Sequence, residues 1–360
     1  MEFLERIKSF FYLYKSGENK EIYPFYTLRF FFFIAIFVHH CFNLVRVDFL
    51  RQPALAVSGF IVLSGYLNAY MYLNKYKLNL KEIFNFTVKR IKKFYLLHIF
   101  MLLISVIYTG VFNYSKVSEF VLFFKKLLTN ITLTQSWVSD KGFYFGFNGA
   151  TWFLSTYLFL TIITIPLLHI IKRIKESKHG SIKLVLLSLI LVISSFAIVY
   201  YININNINKE YWIYIFPPAR AIEYSVAMII GSLAPRNIKP FKGDKPVFTI
   251  FEICSVLLVA LTVINVKNSL ILDGRFNIYL MPLLLLFYIF SFQRGYISLL
   301  LSNKVTVYLG KISMYMFIVH QPLIILLSRN VVHYRYLALY MLILTIVFSS
   351  LINKFYKKNI

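Results

Sequence analysis

Ten apolar stretches, each long enough to cross hydrocarbon as a helix of about 20 residues, constrain this chain more than any other feature. They lie near residues 25–45, 54–74, 94–113, 151–171, 184–203, 213–233, 247–266, 277–293, 305–328 and 336–353. A soluble domain is about half apolar. Here 59% of residues are hydrophobic, 15% are charged, and the mean hydropathy is +0.69. The chain therefore reads as an all-α polytopic membrane protein of about ten transmembrane helices.

Lys and Arg number 39 against 14 Asp and Glu, a formal net charge of +25. A nucleic-acid partner is not expected, because the basic residues lie between apolar runs and leave no soluble domain to carry such contacts. Their distribution fits the positive-inside rule and contact with anionic membrane lipids. With the N-terminus inside, the inner segments 1–24, 75–93, 172–183, 234–246, 294–304 and 354–360 hold 25 basic residues and the outer ones 11. Arg29, Arg220 and Lys311 fall within spans. Both termini are thus expected in the cytoplasm. Residues 1–24 read as an interfacial lead-in, 25–353 as the transmembrane domain, and 354–360 as a basic tail. Residues 117–135, broken by Lys125 and Lys126, read as an interfacial or partly re-entrant segment. Cys41 and Cys254, both in apolar runs, offer no disulfide framework or metal-ligand spacing, and no metal is expected.

Ionisable residues inside a span are costly and mark functional candidates. In LRFFFFIAIFVHH (28–40), Arg29 and His40 are eleven residues apart, which puts them about 20° off one helical face and about 16 Å apart along the axis. His39 points about 80° away from Arg29, toward a packing or supporting role. Arg29 alone could be a cation snorkelling to the inner interface. In PPARAIEYSVAMIIGSL (217–233), Arg220 and Glu223 stand at i, i+3 and can pair, with Gly231 as a close-packing position. In YLGKISMYMFIVHQPLI (308–324), Gly310, Ser313, Phe317 and His320 line one face, and Pro322 disturbs the helix just beyond. The inner loop 85–98 groups Lys89, Arg90, Lys92 and Lys93, either a membrane anchor or a phosphate site. Trp152, in NGATWFLSTYLF (148–159), begins a span on the outer side, as a belt residue or a sugar-stacking platform.

The order of these stretches is more specific than any one of them. The chain resembles the membrane-bound acyltransferase 3 family, in the form without a fused esterase-like domain. LRFFFFIAIFVHH is similar to the family's Arg followed eleven residues later by His. SGFIVLSGYL (58–67) is similar to its Phe-x-x-Ser-Gly element, in Phe60, Leu63, Ser64, Gly65 and Tyr66. RAIEYSVAMIIGSL resembles its Arg-x-x-Glu-to-Gly helix, and YLGKISMYMFIVHQPLI its Leu-Gly-to-His-x-Pro helix. Two departures stand out. The inner Arg-x-x-Arg is here Arg90-Ile-Lys-Lys93, which keeps point charge but not a second bidentate fork. A glutamate five positions after the tryptophan is here Tyr157.

The resemblance implies a bacterial inner-membrane enzyme that moves an acyl group, most often acetyl, from cytoplasmic acyl-CoA to a hydroxyl of a cell-surface glycan or glycolipid. Acetyl-CoA would be a donor co-substrate, and no cofactor is expected to stay bound. It implies Arg29, Arg90 and Lys93 at the CoA phosphates, and His40 as general base. Glu223, Ser313 or His320 would orient His40 or the acceptor. Trp152, with Arg220, Ser313 and His320, would meet the acceptor. The alternatives are a transporter or flippase, or a polymerase, of lipid-linked glycan.

Overall fold

Each of the ten apolar stretches falls on a helix in a computed structural model that describes residues 21–41, 53–109, 117–235, 244–266, 277–328 and 335–359. The lead-in up to residue 20, the connections 42–52, 110–116, 236–243, 267–276 and 329–334, and Ile360 lie outside the described residues. No β-strand occurs among the described residues. The principal helices are α1 (Tyr23–His40), α2 (Pro53–Tyr72), α3 (Leu80–Thr109), α4 (Val117–Ile131), α5 (Lys141–Tyr144), α6 (Trp152–Lys175) and α7 (Gly180–Ile204). They continue with α8 (Pro217–Leu233), α9 (Asp244–Val266), α10 (Asn277–Ser291), α11 (Tyr296–Leu301), α12 (Lys304–Ser328) and α13 (Arg335–Asn359).

Seven of these helices are long and apolar enough to cross a membrane, and Ile278–Ser291 is a shorter apolar one. This is fewer than the ten spans expected. The two remaining stretches are α1 and α8; α8 is only 17 residues long, and both carry polar side chains. Arg29, His39 and His40 in one, and Arg220 and Glu223 in the other, lower the mean apolarity. Both helices are covered by protein, so hydrocarbon does not have to solvate those groups.

The expected inner loop 85–98 is also revised. Its residues belong to the single 30-residue helix α3. Lys and Arg are good helix formers and nothing in the stretch breaks the ladder, so the helix starts well before the apolar run. Arg90 and Lys93 then share a face at i, i+3. Residues 117–131 form a regular amphipathic helix, docked where the Tyr95 hydroxyl donates to the Ile131 carbonyl at 2.8 Å. The expected basic tail from residue 354 continues α13 as helix through Asn359.

Two helix crossings organise the core. Helices α2 and α8 pack so closely that a Cβ on Gly65 would meet the Tyr224 carbonyl oxygen at 2.5 Å, and one on Gly231 would strike the Tyr66 backbone. Helices α1 and α12 cross in the same way, where a Cβ on Gly310 would strike the Tyr26 carbonyl. Small residues permit such approach between membrane helices, where packing must replace the hydrophobic drive. Tyr26 meets Gly310 and His40 meets His320, so α1 and α12 run parallel. Around this core, α7 and α9 present their apolar surface outward, with only 22% and 17% of their apolar windows buried, against 61% for α2 and 56% for α12.

Candidate active site

The site begins with a proline. Pro322 has no N–H, so the carbonyl of Ile318, one turn earlier in α12, loses its helical partner. Asn148 fills that vacancy, its Nδ2 donating to the Ile318 carbonyl at 2.9 Å. Two residues on, the Ala150 N–H donates to Oε1 of Gln321. The segment 135–151 is thereby stitched to α12. The segment closes on itself where Gln135 Nε2 donates to the Thr151 carbonyl at 3.0 Å, and the Ser136 hydroxyl fixes it on α6 by donating to the Trp152 carbonyl at 2.8 Å.

On the same turn of α12, His320 is fully buried, with its Nδ1 2.7 Å from the Phe317 carbonyl. A carbonyl only accepts, so Nδ1 carries the proton and the neutral ring offers Nε2 as an acceptor. His40 Nδ1 lies 2.7 Å from that atom. It must therefore donate, which leaves His40 Nε2 with a free lone pair. The two rings are 8° from parallel with centroids 4.9 Å apart, as an in-plane bond requires. Phe33 and Phe37 wall the pair on the α1 side, with centroids 5.7 and 6.4 Å from His320.

His40 lines a cavity of about 620 Å³. Its walls come from the end of α1, the start of α2, the 145–152 segment, α12 at Phe317 and Gln321, and the turn 209–214. His39 lines the same cavity, its ring centroid 5.3 Å from that of His40. The helical-wheel expectation that it points elsewhere fails because α1 ends here, so the cavity wraps round the helix end. Trp152 lines the cavity too, 4.8 Å from the Tyr214 ring. At the rim, Lys141 pairs with Glu210 at 3.2 Å. The Tyr144 hydroxyl donates to Glu210 at 3.4 Å. Burial first, and the Glu210 carboxylate second, push that phenol up to about 12, so it remains a donor at neutral pH.

Glu223 is not part of this cavity lining. Its carboxylate lies 2.6 Å from Arg220 Nη2, which also donates to the Ser58 hydroxyl at 3.2 Å. Ser58 thereby ties the pair to α2 across the α2–α8 crossing through the arginine. The void beside this pair is about 40 Å³, too small for a sugar or an acyl chain. Arg220 reaches the cavity only indirectly, its guanidinium 5.7 Å from the Tyr214 ring. Ser313 is fully buried with its hydroxyl on the Gly310 carbonyl at 2.9 Å. Of the three residues expected to orient His40 or the acceptor, His320 is the one on His40, and the structure gives Glu223 and Ser313 other partners.

A third group lies further along α1. Arg29, Arg90 and Lys93 are close enough to feel one another's charge. Among the described residues no carboxylate pairs with any of them. Arg90 is held rigidly, its Nη2 donating to Asn68 Oδ1 at 2.8 Å and its plane lying 4.6 Å from the Phe86 centroid. Asn68 in turn donates to the Tyr224 hydroxyl at 2.7 Å. Tyr157, where the family pattern has a carboxylate, hydrogen-bonds Arg90. Three neighbouring cations with no carboxylate on them among the described residues make this group a candidate for meeting an anion.

Sequence reasoning overlooked Asn148, Gln321, Asn68 and the 209–214 turn. For the first two a signal existed: a proline inside a helix frees a carbonyl that something nearby must satisfy.

Residues 25–354 match the sequence model of a family described as an acyltransferase domain, that of acyltransferase 3. No curated protein and no solved structure matches the chain. The match spans the histidine pair, its cavity and the cation cluster within one bundle of apolar helices, and the chain belongs to the acyltransferase 3 family as a membrane acyltransferase.

Proposed function

We propose that the protein transfers an acyl group, acetyl in the first instance, from acyl-CoA to a hydroxyl of a cell-surface glycan or of its lipid-linked precursor. One observation carries this reading: a histidine whose tautomer is fixed by a buried relay, with a free Nε2, at a cavity large enough for a sugar and a thioester. A neutral imidazole is the side chain suited to remove a hydroxyl proton near pH 7. The Arg29, Arg90 and Lys93 cluster, about 16 Å down α1 from His40, supplies charge for the donor phosphates. A pantetheine arm is long enough to link the two.

The proposed orientation puts both termini and the cation cluster in the cytoplasm and the 135–151 segment outside, in line with the inner excess of Lys and Arg. The acceptor then enters past Trp152, Lys209 and Glu210. As the hydroxyl attacks, His320 stabilises the His40 imidazolium through its hydrogen bond. Family membership leaves no support for the flippase and polymerase alternatives. The test is to incubate membranes with acetyl-labelled CoA and follow label into the glycan fraction. Label should move with the wild type and fall about 10²–10⁴-fold with His40→Ala at equal folded protein. Equal transfer by the two would overturn the role of His40.

A further inference from the structure

We infer that Gln321 is a catalytic residue, its side-chain amide donating to the oxygen of the reacting acyl carbonyl. The inference rests on the acyl-transfer reading above and concerns the part of the reaction that His40 does not serve.

Attack on a thioester moves the carbonyl electrons onto oxygen, and that charge needs a fixed donor in a site shielded from water. Few groups in the cavity qualify. His320 spends both ring nitrogens, and His40 spends Nδ1 and needs Nε2 for the hydroxyl proton. The Lys209 ammonium sits on a long stem beside the rim. Gln321 differs on three counts. It lines the cavity with His40 and follows His320 directly in α12. Its amide orientation is fixed, because the Ala150 N–H can bond only to the side-chain oxygen. The two Nε2 hydrogens are left over, and among the described residues no acceptor takes them. That NH₂ lies over Gly149, where a Cβ would come within 3.2 Å of Nε2, so no side chain at position 149 crowds it.

In the reaction, His40 Nε2 removes the acceptor proton as the hydroxyl oxygen bonds to the acyl carbon. The carbonyl π pair moves onto oxygen, where Gln321 Nε2–H meets it. When that pair returns, the C–S bond breaks, the sulfur leaves with its electrons, and His40 Nε2 returns the proton to it. The products are the acyl ester and free CoA thiol.

Gln321→Glu keeps an oxygen for the Ala150 N–H and replaces the donor with an acceptor. At pH 8 its kcat should fall about 10²–10³-fold while the KM for acetyl-CoA stays within about threefold. A merely structural role would move folded yield rather than kcat. Elution as a single species in detergent reads folding. Should the Glu variant aggregate, Gln321→Met decides by the same criterion. A folded variant with kcat within about threefold of wild type overturns the proposal. His40→Ala belongs in the same series. If it is inactive while Gln321→Glu is not, only the role of Gln321 falls. If it stays active, the acyl-transfer reading falls and Gln321 with it.

Discussion

Two pairs of ionisable side chains are embedded in this bundle, and they are built differently. Arg220 and Glu223 pair their charges at 2.6 Å, with Ser58 on the arginine and a void of about 40 Å³ beside them. His40 and His320 are as close, at 2.7 Å, yet their chain of bonds ends on an uncommitted nitrogen at a cavity of about 620 Å³. Burial and polarity do not separate the two pairs. The difference is what each pair faces. Opposite charges closed on each other beside a void too small for a substrate fix helix packing. A neutral pair that ends on a free acceptor at a large cavity can do chemistry.

The largest effect that would break this contrast concerns stability. Removing one partner of a buried ion pair leaves an uncompensated charge, so Arg220→Ala or Glu223→Ala should each cost about 3–5 kcal/mol. The double variant Arg220→Met with Glu223→Leu should recover most of that loss and turn over at close to the wild-type rate per folded molecule. Thermal unfolding in detergent, with activity on the same samples, measures both. A folded but inactive double variant would move Glu223 into the chemistry.

The cation cluster, proposed above to meet the donor phosphates, extends the contrast. Arg90→Ala removes a guanidinium that Asn68 and two aromatic rings hold in place. The KM for acetyl-CoA should rise about 10–100-fold with kcat little changed, as for one lost charged hydrogen bond. Initial rates against donor concentration read this directly, and an unchanged KM would remove the cluster from donor binding. The smallest effect belongs to His39, which lines the cavity but has no place in the relay. His39→Ala should lower kcat by less than about tenfold in the same assay, against the far larger loss expected for His40→Ala.

Much of the architecture was legible in the sequence. The ten apolar stretches fall on helices, and Gly231, read as a close-packing position, lies at the tight α2–α8 crossing. The relay was half legible. His40 and His320 each stood out as polar residues in apolar runs, but their meeting depends on α1 and α12 packing parallel, which spacing along one helix does not reveal. Glu223 invited assignment to His40 because a carboxylate is a common histidine partner. Its neighbour Arg220, one turn away, claims it instead. The wheel projection misplaced His39 because a projection describes a helix interior, and this residue sits where the helix stops.

The central claim is that His40 and His320 act as one unit. A double-mutant cycle on kcat tests it most directly, with His40→Ala, His320→Ala and the double variant assayed at saturating acetyl-CoA on equal folded protein. Once the base is gone, its orienting partner should have nothing left to orient. The account predicts that the double variant is no slower than His40→Ala alone, with His320→Ala about 10–100-fold below wild type. Losses that add in full would mean that the two histidines serve separate steps, and would contradict it.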